Sequence, residues 1–442
     1  MTSRPRLLFL SQCTPYPPHS GVTNRTYNIL RQLRREYDVT VLAFSRRRHQ
    51  ADAAARAAAR ARLEALGLRM GEPVEIPSQA SRPRQVWDHL RSVGTRRPYV
   101  YYEYWSPAYR AQLADALREG PPALVHVDSL DLYRWCDGLP AVPVACTHHN
   151  IESDLLRRRA RHTAHPLLSR YIDWQAARTE AVEREEAPRF DLNVMMSDVD
   201  AARLRELAPG ARTVVAPNGV DVEAFTPTPE AGRVPGRVAF LGPLYMFANR
   251  DGVEFLLDEM WERIAAGAPG ASLHLIGQAS AEDRAWAAAR PGVSSLGYVP
   301  DIRPHLAEAE CCVVPLRVGG GTRLKILDYW AMGKAVVSTS VGCEGLATVD
   351  GENILIRDDP REFADAVREV LRSPELRRRL ETNARRTAET VYSWDIIGED
   401  LRRHYARLVD RAGAPGGAAG GASRAVASPH HATAALASGA SK

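Results

Sequence analysis

The stretch Gly319-Gly320-Gly321-Thr322-Arg323-Leu324-Lys325-Ile326-Leu327-Asp328 lies between two apolar runs, at residues 312–316 and 335–339. The periodicity predicts a buried strand, a three-glycine turn, a short helix from about residue 322 to residue 332, and a second buried strand. Glycines let the main chain approach a ligand closely, and Thr322 as N-cap would leave helical N–H groups and the positive dipole end facing the turn. We therefore predict an anion-binding βαβ step.

Three charged side chains extend this predicted site along the helix. Arg323 and Lys325 place positive charge in its first turn, and Asp328 follows Lys325 by about one turn. A carboxylate at that position could accept hydrogen bonds from a sugar or ribose hydroxyl. A plainer interpretation stays open, in which the glycine-rich turn is structural and Lys325 and Asp328 form an i,i+3 pair on the surface.

Length and composition indicate a globular protein with two domains, because 442 residues exceed what one hydrophobic core usually supports. The formal net charge of +5 comes mostly from arginine, in runs that are typical of solvated helix faces or of contact with an anionic membrane surface. No nucleic-acid reading motif accompanies these runs, so we do not expect a nucleic-acid partner. The six cysteines lack CxxC spacing, which argues against a disulfide framework and a metal site. We expect a cytoplasmic protein without a signal peptide or membrane span.

The chain contains two successive series of α/β elements. The first opens with a strand at residues 6–10, a loop that ends in Ser20 and Gly21, and a helix that reaches about residue 35. This loop is no dinucleotide fingerprint, but it lies where parallel sheets bind ligands. A Pro- and Gly-rich stretch at residues 226–236 precedes the second series and predicts a hinge.

His148 and His149 follow an apolar strand predicted at residues 142–147. Groups beyond the carboxyl end of such a strand often react in α/β enzymes, and imidazole can exchange a proton near neutral pH. Because successive strand residues point to opposite sides, we expect only one of the two to face a cleft. The tyrosine-rich segment at residues 95–110 indicates either an acceptor-binding wall or core packing.

Several motifs occur in a fixed order along the chain: Pro217-Asn218-Gly219-Val220-Asp221, Phe240-Leu241-Gly242, Gly297-Tyr298-Val299-Pro300-Asp301, residues 320–328 and residues 331–337. In combination they resemble the GT-B glycosyltransferases of family 4, over most of residues 5–410. The resemblance implies an α/β fold with GT-B architecture, in which two Rossmann-like domains face a cleft. It implies an acceptor-side domain at residues 1–228, a nucleotide-sugar-binding domain at 229–392 and a helix crossing back at 393–411. The composition of residues 412–442, rich in Ala, Gly and Ser with few large apolar side chains, predicts a disordered tail.

The same resemblance implies roles for individual residues. Asp328 falls where the family has a ribose-binding Glu, Gly320 where it has the Glu that contacts the donor sugar, and Pro243 where it has a diphosphate-binding Arg. His149 resembles the active-site histidine of the N-terminal domain and is the implied catalytic residue. The implied donor contacts are Gly21, Gly242, Arg250, Tyr298, Val299, Gly320, Gly321, Thr322, Arg323, Leu324, Lys325 and Asp328.

The implied activity is metal-independent transfer of a glycosyl group, with retention of configuration, from a nucleoside-diphosphate sugar to a glycan, lipid-linked or small-molecule acceptor. No cofactor is implied beyond this co-substrate, and a peripheral contact with the inner membrane face is compatible with the charge. Two alternatives stay open. One is a nucleotide-sugar 2-epimerase with GT-B architecture, and the other is a donor-binding protein without catalysis, which Gly320 and Pro243 would favour.

Overall fold

Two parallel β-sheets flanked by helices form the protein, which confirms the predicted α/β class. The computed structural model describes residues 4–18, 20–47, 49–227, 232–319 and 323–413. The predicted tail at residues 412–442 lies outside this part of the chain, apart from its first two residues, which end the last helix.

The first half of the chain forms a sheet with strand order β3-β2-β1-β5-β6-β7-β8, with β4 paired to β2. Its strands are β1 (Arg6–Ser11), β2 (Asp38–Ser45), β3 (Arg69–Met70), β4 (Val74–Glu75), β5 (Leu124–Val127), β6 (Val144–Thr147), β7 (Leu192–Met195) and β8 (Thr213–Val215). Its helices are α1 (Gly21–Leu33), α2 (Ala53–Glu64), α3 (Pro77–Ala80), α4 (Arg82–Thr95), α5 (Val100–Glu103), α6 (Pro107–Arg118), α7 (Glu152–Arg161), α8 (Pro166–Glu186) and α9 (Asp198–Leu207), with a 3₁₀ segment at Leu130–Cys136. Strands β1, β5 and β6 are buried on both faces, so they appear in the sequence as nearly continuous apolar runs.

The second half forms a sheet with strand order β11-β10-β9-β12-β13-β14. Its strands are β9 (Arg237–Leu241), β10 (Ser272–Ile276), β11 (Val293–Gly297), β12 (Cys311–Val314), β13 (Ala335–Ser338) and β14 (Leu355–Ile356). Its helices are α10 (Phe247–Glu259), α11 (Trp261–Gly267), α12 (Ala281–Ala288), α13 (Arg303–Ala307), α14 (Leu324–Ala331), α15 (Pro360–Arg372) and α16 (Pro374–Val391).

The chain returns to the first half beside the point where it left it. Val220 and Ser393 pair in parallel, and the Val220 N–H donates to the carbonyl of Tyr392 at 2.8 Å. Helix α17 (Trp394–Gly413) then packs on the first sheet, where its buried face joins the hydrophobic core through Trp394, Ile397, Leu401 and Tyr405. The last helix therefore belongs structurally to the first half.

Loops at the carboxyl ends of the strands meet between the two halves. A Cβ at Gly21, after β1, would lie 3.4 Å from Cδ1 of Leu324, after β12. A Cβ at Gly345, after β13, would lie 3.9 Å from the Cβ of Ser197, after β7. Ligands of open parallel sheets bind beyond these strand ends, so the cleft between the halves is the expected binding position.

Candidate active site

Helix α14, which the central glycine stretch leads into, begins at Leu324. The sequence predicts a helix from about residue 322 with Thr322 as its N-cap, whereas the N-cap position falls one residue later, on Arg323. Arg323 has a non-helical backbone, and its guanidinium donates to the carbonyl of Val341 at 3.3 Å. Gly320, Gly321 and Thr322, three of the predicted donor contacts, lie outside the described residues.

Lys325 lies in the first turn of α14 and does not pair with Asp328 in the described structure. Its ammonium donates to Oδ1 of Asn249 at 2.8 Å and lies 4.2 Å from the ring centroid of Phe240. Burial, and then the neighbouring Arg323, lower the pKa of Lys325 to about 7. A buried ammonium whose partners are neutral gains from a bound anion, because an opposite charge stabilises its protonated form.

Asp328 follows Lys325 on the same helix, and its half-buried carboxylate has no hydrogen-bond partner among the described residues. Burial raises the pKa of this carboxyl to about 7. A carboxylate in this state has its oxygens available for hydroxyl donors, and two adjacent hydroxyls such as those of ribose would satisfy both oxygens.

Asn249, which belongs to none of the predicted contacts, links the loop after β9 to Lys325. Its amide nitrogen donates to the carbonyl of Pro243 at 3.0 Å while its oxygen accepts from Lys325. A Cβ at Gly242 would lie 2.8 Å from the Asn249 side chain, so only glycine allows this approach. The sequence signal for Asn249 was its place in the first turn of α10, seven residues after Gly242.

Arg250, predicted to contact the diphosphate, is engaged elsewhere. Its guanidinium pairs with Glu254 at 2.9 Å and with Asp283, and it lies 3.7 Å from the ring centroid of Trp286. Because two carboxylates already neutralise the Arg250 guanidinium, these contacts disfavour the predicted contact with the diphosphate.

Tyr298 and Val299, two further predicted donor contacts, follow the end of β11. The Tyr298 side chain is 69% exposed, whereas Val299 packs against the core of the second half. Binding of the donor's base by main-chain groups of these two residues remains a prediction.

His149 lies beyond the carboxyl end of β6 and contacts the loop after β5. Its Nε2 lies 2.7 Å from the carbonyl oxygen of Asp128. A carbonyl only accepts, so Nε2 carries the proton and Nδ1 remains an acceptor. Burial lowers the pKa of His149, which keeps the ring neutral at physiological pH.

His148 points into the protein interior. It is 2% exposed, and its Nε2 lies 2.8 Å from Oδ1 of Asn193, whose amide nitrogen is bound to two backbone carbonyls. Burial lowers the pKa of His148 to about 4, so it stays uncharged. Of the two histidines, His149 is the one placed near the strand-end loops that form the cleft.

A buried polar network lies behind His149 and was not visible in the sequence. The Asp128 carboxylate accepts from the Thr26 hydroxyl at 2.6 Å and lies 3.7 Å from Nε2 of both His126 and His149. Tyr405, on the returning helix α17, lies 2.5 Å from Nδ1 of His126. The segments that meet here come from both ends of the chain, and their residue types are individually common in loops and strands.

The sequence matches family models in both halves. A model described as "Glycosyltransferase Family 4" matches residues 19–224, and one described as "Glycosyl transferases group 1" matches residues 235–373. No curated protein matches the sequence at a significant level.

Solved glycosyltransferase structures share the fold over nearly the whole chain. Alr3699/HepE of Anabaena in complex with UDP is 15% identical, with a TM-score of 0.62 over 91% of this chain and 100% of that chain. Sucrose-phosphate synthase from Thermosynechococcus elongatus is 17% identical, with a TM-score of 0.63 over 92% and 99%. WaaG, a glycosyltransferase involved in lipopolysaccharide biosynthesis, is 16% identical, with a TM-score of 0.57 over 90% and 99%. At these identities the likenesses establish the GT-B architecture.

Proposed function

The chain belongs to the GT-B glycosyltransferases of group 1, family 4, and we propose that it transfers a sugar from a nucleoside-diphosphate sugar to an acceptor bound by its first half, with retention of configuration. The observation that carries this proposal is the approach of α1 to α14 across the cleft, where Gly21 meets Leu324 next to Lys325. A donor held at the start of α14 would lie between the two halves. The Anabaena protein of the same fold holds UDP-glucose in one of its structures, which supports this class of donor.

In the proposed donor site, Lys325 and Arg323 bind the diphosphate and Asp328 binds the ribose. Charge builds up on the diphosphate as the bond from the anomeric carbon to its oxygen breaks. A positive group already fixed beside that oxygen stabilises the transition state more than the ground state. The lowered pKa of Lys325 supports this role. Burial disfavours the ammonium form of Lys325, and the negative charge that builds up on the leaving diphosphate stabilises that form.

We assign His149 a polar contact with the reacting sugar rather than a cationic role. With its Nε2 proton directed to Asp128, Nδ1 can accept a hydrogen bond from a sugar hydroxyl. The new bond forms between the anomeric carbon and the acceptor oxygen on the face that the diphosphate leaves. The proton of the acceptor hydroxyl passes to the departing phosphate oxygen, which balances the reaction without a protein base.

Metal independence is part of the proposal. Within the described residues, no group of three His, Cys, Asp or Glu side chains could hold a metal ion. The cationic side chains at the start of α14 offer another source of the positive charge that a metal would supply.

We also propose a peripheral contact with an anionic membrane surface. In the described part of the chain no helix combines the length and apolarity of a membrane span. Helix α4 nevertheless presents Val86, Trp87, Leu90 and Val93 to solvent, each more than half exposed. Arginines on the same helix would face lipid phosphates, as in interfacial helices.

A screen tests the proposed function directly. Purified protein is incubated with uridine, guanosine and adenosine diphosphate sugars and cell-extract acceptors, and products are identified by mass spectrometry. We expect one donor to lose its sugar to a second molecule, with the anomeric configuration preserved by NMR. A change at C2 without an acceptor would establish the epimerase instead. Tight donor binding without turnover across the panel would establish a binding protein.

A further inference from the structure

A cavity of about 630 Å³ lies in the first half of the protein. Helices α4, α7 and α8 surround it, together with α5 and the 3₁₀ segment after β5. Its floor lies at the carboxyl ends of the strands, where Asp131 follows β5 and Glu152 follows β6. Glu152 comes three residues after His149, so this side of the cavity lies within about 11 Å of chain from the proposed reaction position. Its volume suits a ligand the size of one or two sugar rings.

Three carboxyl groups line this cavity: Glu103, Asp131 and Glu152. No salt bridge reaches any of them in the described structure, and the amide of Asn150 contacts Glu152 at 3.4 Å. Burial, and then the charge of Asp131, raise the pKa of Glu103 to about 7 and that of Glu152 to about 8. Burial and the acidic neighbour thus disfavour the ionised forms of Glu103 and Glu152, and a bound cation would stabilise those forms.

The nearest buried arginine only partly offsets this charge. Arg46 donates to the Gln12 side chain and to the Tyr104 hydroxyl, both at 2.9 Å, and it makes no ion pair with the three carboxyl groups. Arg159 also lines the cavity, but it is exposed.

Aromatic rings form another wall of the same cavity. The His89 and Tyr99 rings stack at 3.9 Å between centroids, and Tyr171 meets His89 edge-on at 5.6 Å. Ring faces attract ammonium groups, and this attraction strengthens where water is excluded. The carboxyl groups do not form a metal cluster. Aromatic faces together with separated carboxylates therefore match an organic cation.

We propose that this cavity binds the sugar acceptor and that the acceptor carries a protonated amine, as amino sugars and aminocyclitols do. The amine lies between Glu103, Glu152 and the ring of Tyr99, and an acceptor hydroxyl points toward His149. This inference rests on the proposed glycosyltransfer, and it names the acceptor class that the sequence leaves open.

Paired acceptors test the inference. Methyl glucosaminide, chitosan disaccharide and 2-deoxystreptamine are each offered beside their N-acetylated forms, with the donor found by the screen. We expect at least one amine to accept the sugar with a kcat/KM roughly tenfold or more above that of its acetylated partner, as loss of one charge-assisted contact predicts. Equal or better use of the acetylated forms would overturn the inference. It would also be overturned if no amine accepted the sugar and none showed saturable binding by NMR.

Isosteric variants locate the amine. Glu103→Gln and Glu152→Gln should raise the KM for the amine on the order of tenfold and leave donor affinity unchanged. Glu185→Gln, on the exposed side of α8 outside the cavity, is the matched control. Because the raised pKa values mean that ionisation opposes folding, both cavity variants should be at least as stable as the parent at pH 8. Unchanged KM in both would contradict the inference.

The proposed function and this inference fail in different ways. Absence of donor binding, donor hydrolysis and transfer in the parent protein would remove the proposed function. Efficient transfer to neutral acceptors alone, unaffected by Glu103→Gln and Glu152→Gln, would be consistent with the proposed function. It would refute only the inference that the acceptor carries an amine.

Discussion

Lys325 donates to the Asn249 amide and lies over the Phe240 ring, without a carboxylate partner among the described residues. With a pKa near 7, it is only partly protonated at neutral pH. A bound diphosphate favours the protonated form, so donor binding takes up a proton and weakens as pH rises. Single residues of this kind carry out the chemistry, and the fold holds them in position.

We expect donor affinity to fall between pH 6.5 and 8.5 by up to about tenfold per unit, as linkage to one proton allows. Lys325→Met should bind donor more weakly, by on the order of 1.5–3 kcal/mol. It should also lose most of the pH dependence, although Asp328 titrates in the same range. Calorimetry on folded protein measures both effects, and equal affinity at every pH in parent and variant would refute the assignment.

His149→Ala should lower kcat by roughly 10²–10⁴ and leave donor affinity almost unchanged, as expected for a polar group that acts on the reacting sugar. Since the neutral ring is the active form and burial lowers the pKa of His149, kcat should rise with pH as the ring loses its proton in acid and then stay level. Steady-state kinetics across pH 5–8 measure this profile.

His148→Ala is the control for this prediction, although we expect it to lower the stability of the protein. Removing the imidazole leaves Oδ1 of Asn193 unpaired in the interior, which should cost on the order of 1–3 kcal/mol of stability. The folded fraction should keep its kcat. A large loss of kcat in this variant, with normal turnover in His149→Ala, would exchange the two roles.

At the scale of elements, the beginnings of α1 and α14 determine how closely the halves approach. Helix α1 starts at Gly21 because Ser20 and Thr23 form a capping box. A Cβ at Gly21 would just contact Leu324, so alanine fits there and a larger side chain would press against Leu324. Both residues belong to the predicted donor contacts, and the structure brings them together although they lie about 300 residues apart.

Gly21→Ala should therefore keep kcat/KM within a few fold, whereas Gly21→Leu should lower it by at least tenfold, because closure brings reacting groups into position. Thermal unfolding should be alike in both, since the position is exposed. Wild-type kinetics in Gly21→Leu would show that this approach has no part in catalysis.

At the scale of the whole molecule, helix α17 joins the end of the chain to the first half. Arg402 donates to the Glu36 carboxylate and to the Gln32 side chain, both at 2.8 Å. A Cβ at Gly398 would lie 2.3 Å from Cγ of Gln32, a buried side chain that Asp395 and Arg402 hold in place. The helix packs closely here only because residue 398 is glycine.

Gly398→Ala should destabilise the protein by on the order of 1–3 kcal/mol through overpacking. Gly94→Ala, in helix α4, provides a matched control, because its added Cβ meets no atom within 4 Å. The control should be neutral or slightly stabilising. Thermal unfolding compares the two, and equal melting temperatures would contradict tight docking of α17.

Metal independence is also a property of the whole catalytic assembly. Turnover should survive excess EDTA, because lysine and arginine side chains supply the charge that stabilises the leaving diphosphate. If EDTA abolished turnover and manganese restored it, the metal-independent mechanism would have to be dropped.

The sequence by itself determined the α/β class, the two series of elements and the family resemblance. Strands buried on both faces are apolar throughout, and glycine turns follow them directly, so both signals are local. The same local signals pointed to Lys325, Asp328 and His149. They placed the N-cap of α14 one residue too early, at Thr322 instead of Arg323, whose side chain contacts the carbonyl of Val341, 18 residues further along the chain.

Only the tertiary structure decided which polar groups meet. Lys325 and Asn249 are 76 residues apart, and His126 and Tyr405 are 279 apart, so no spacing in the sequence relates them. Packing likewise turned Arg250 toward Asp283 and enclosed three carboxyl groups in one cavity. The pKa of a side chain depends on its burial and its neighbours, and both are set by segments that meet only when the chain is folded.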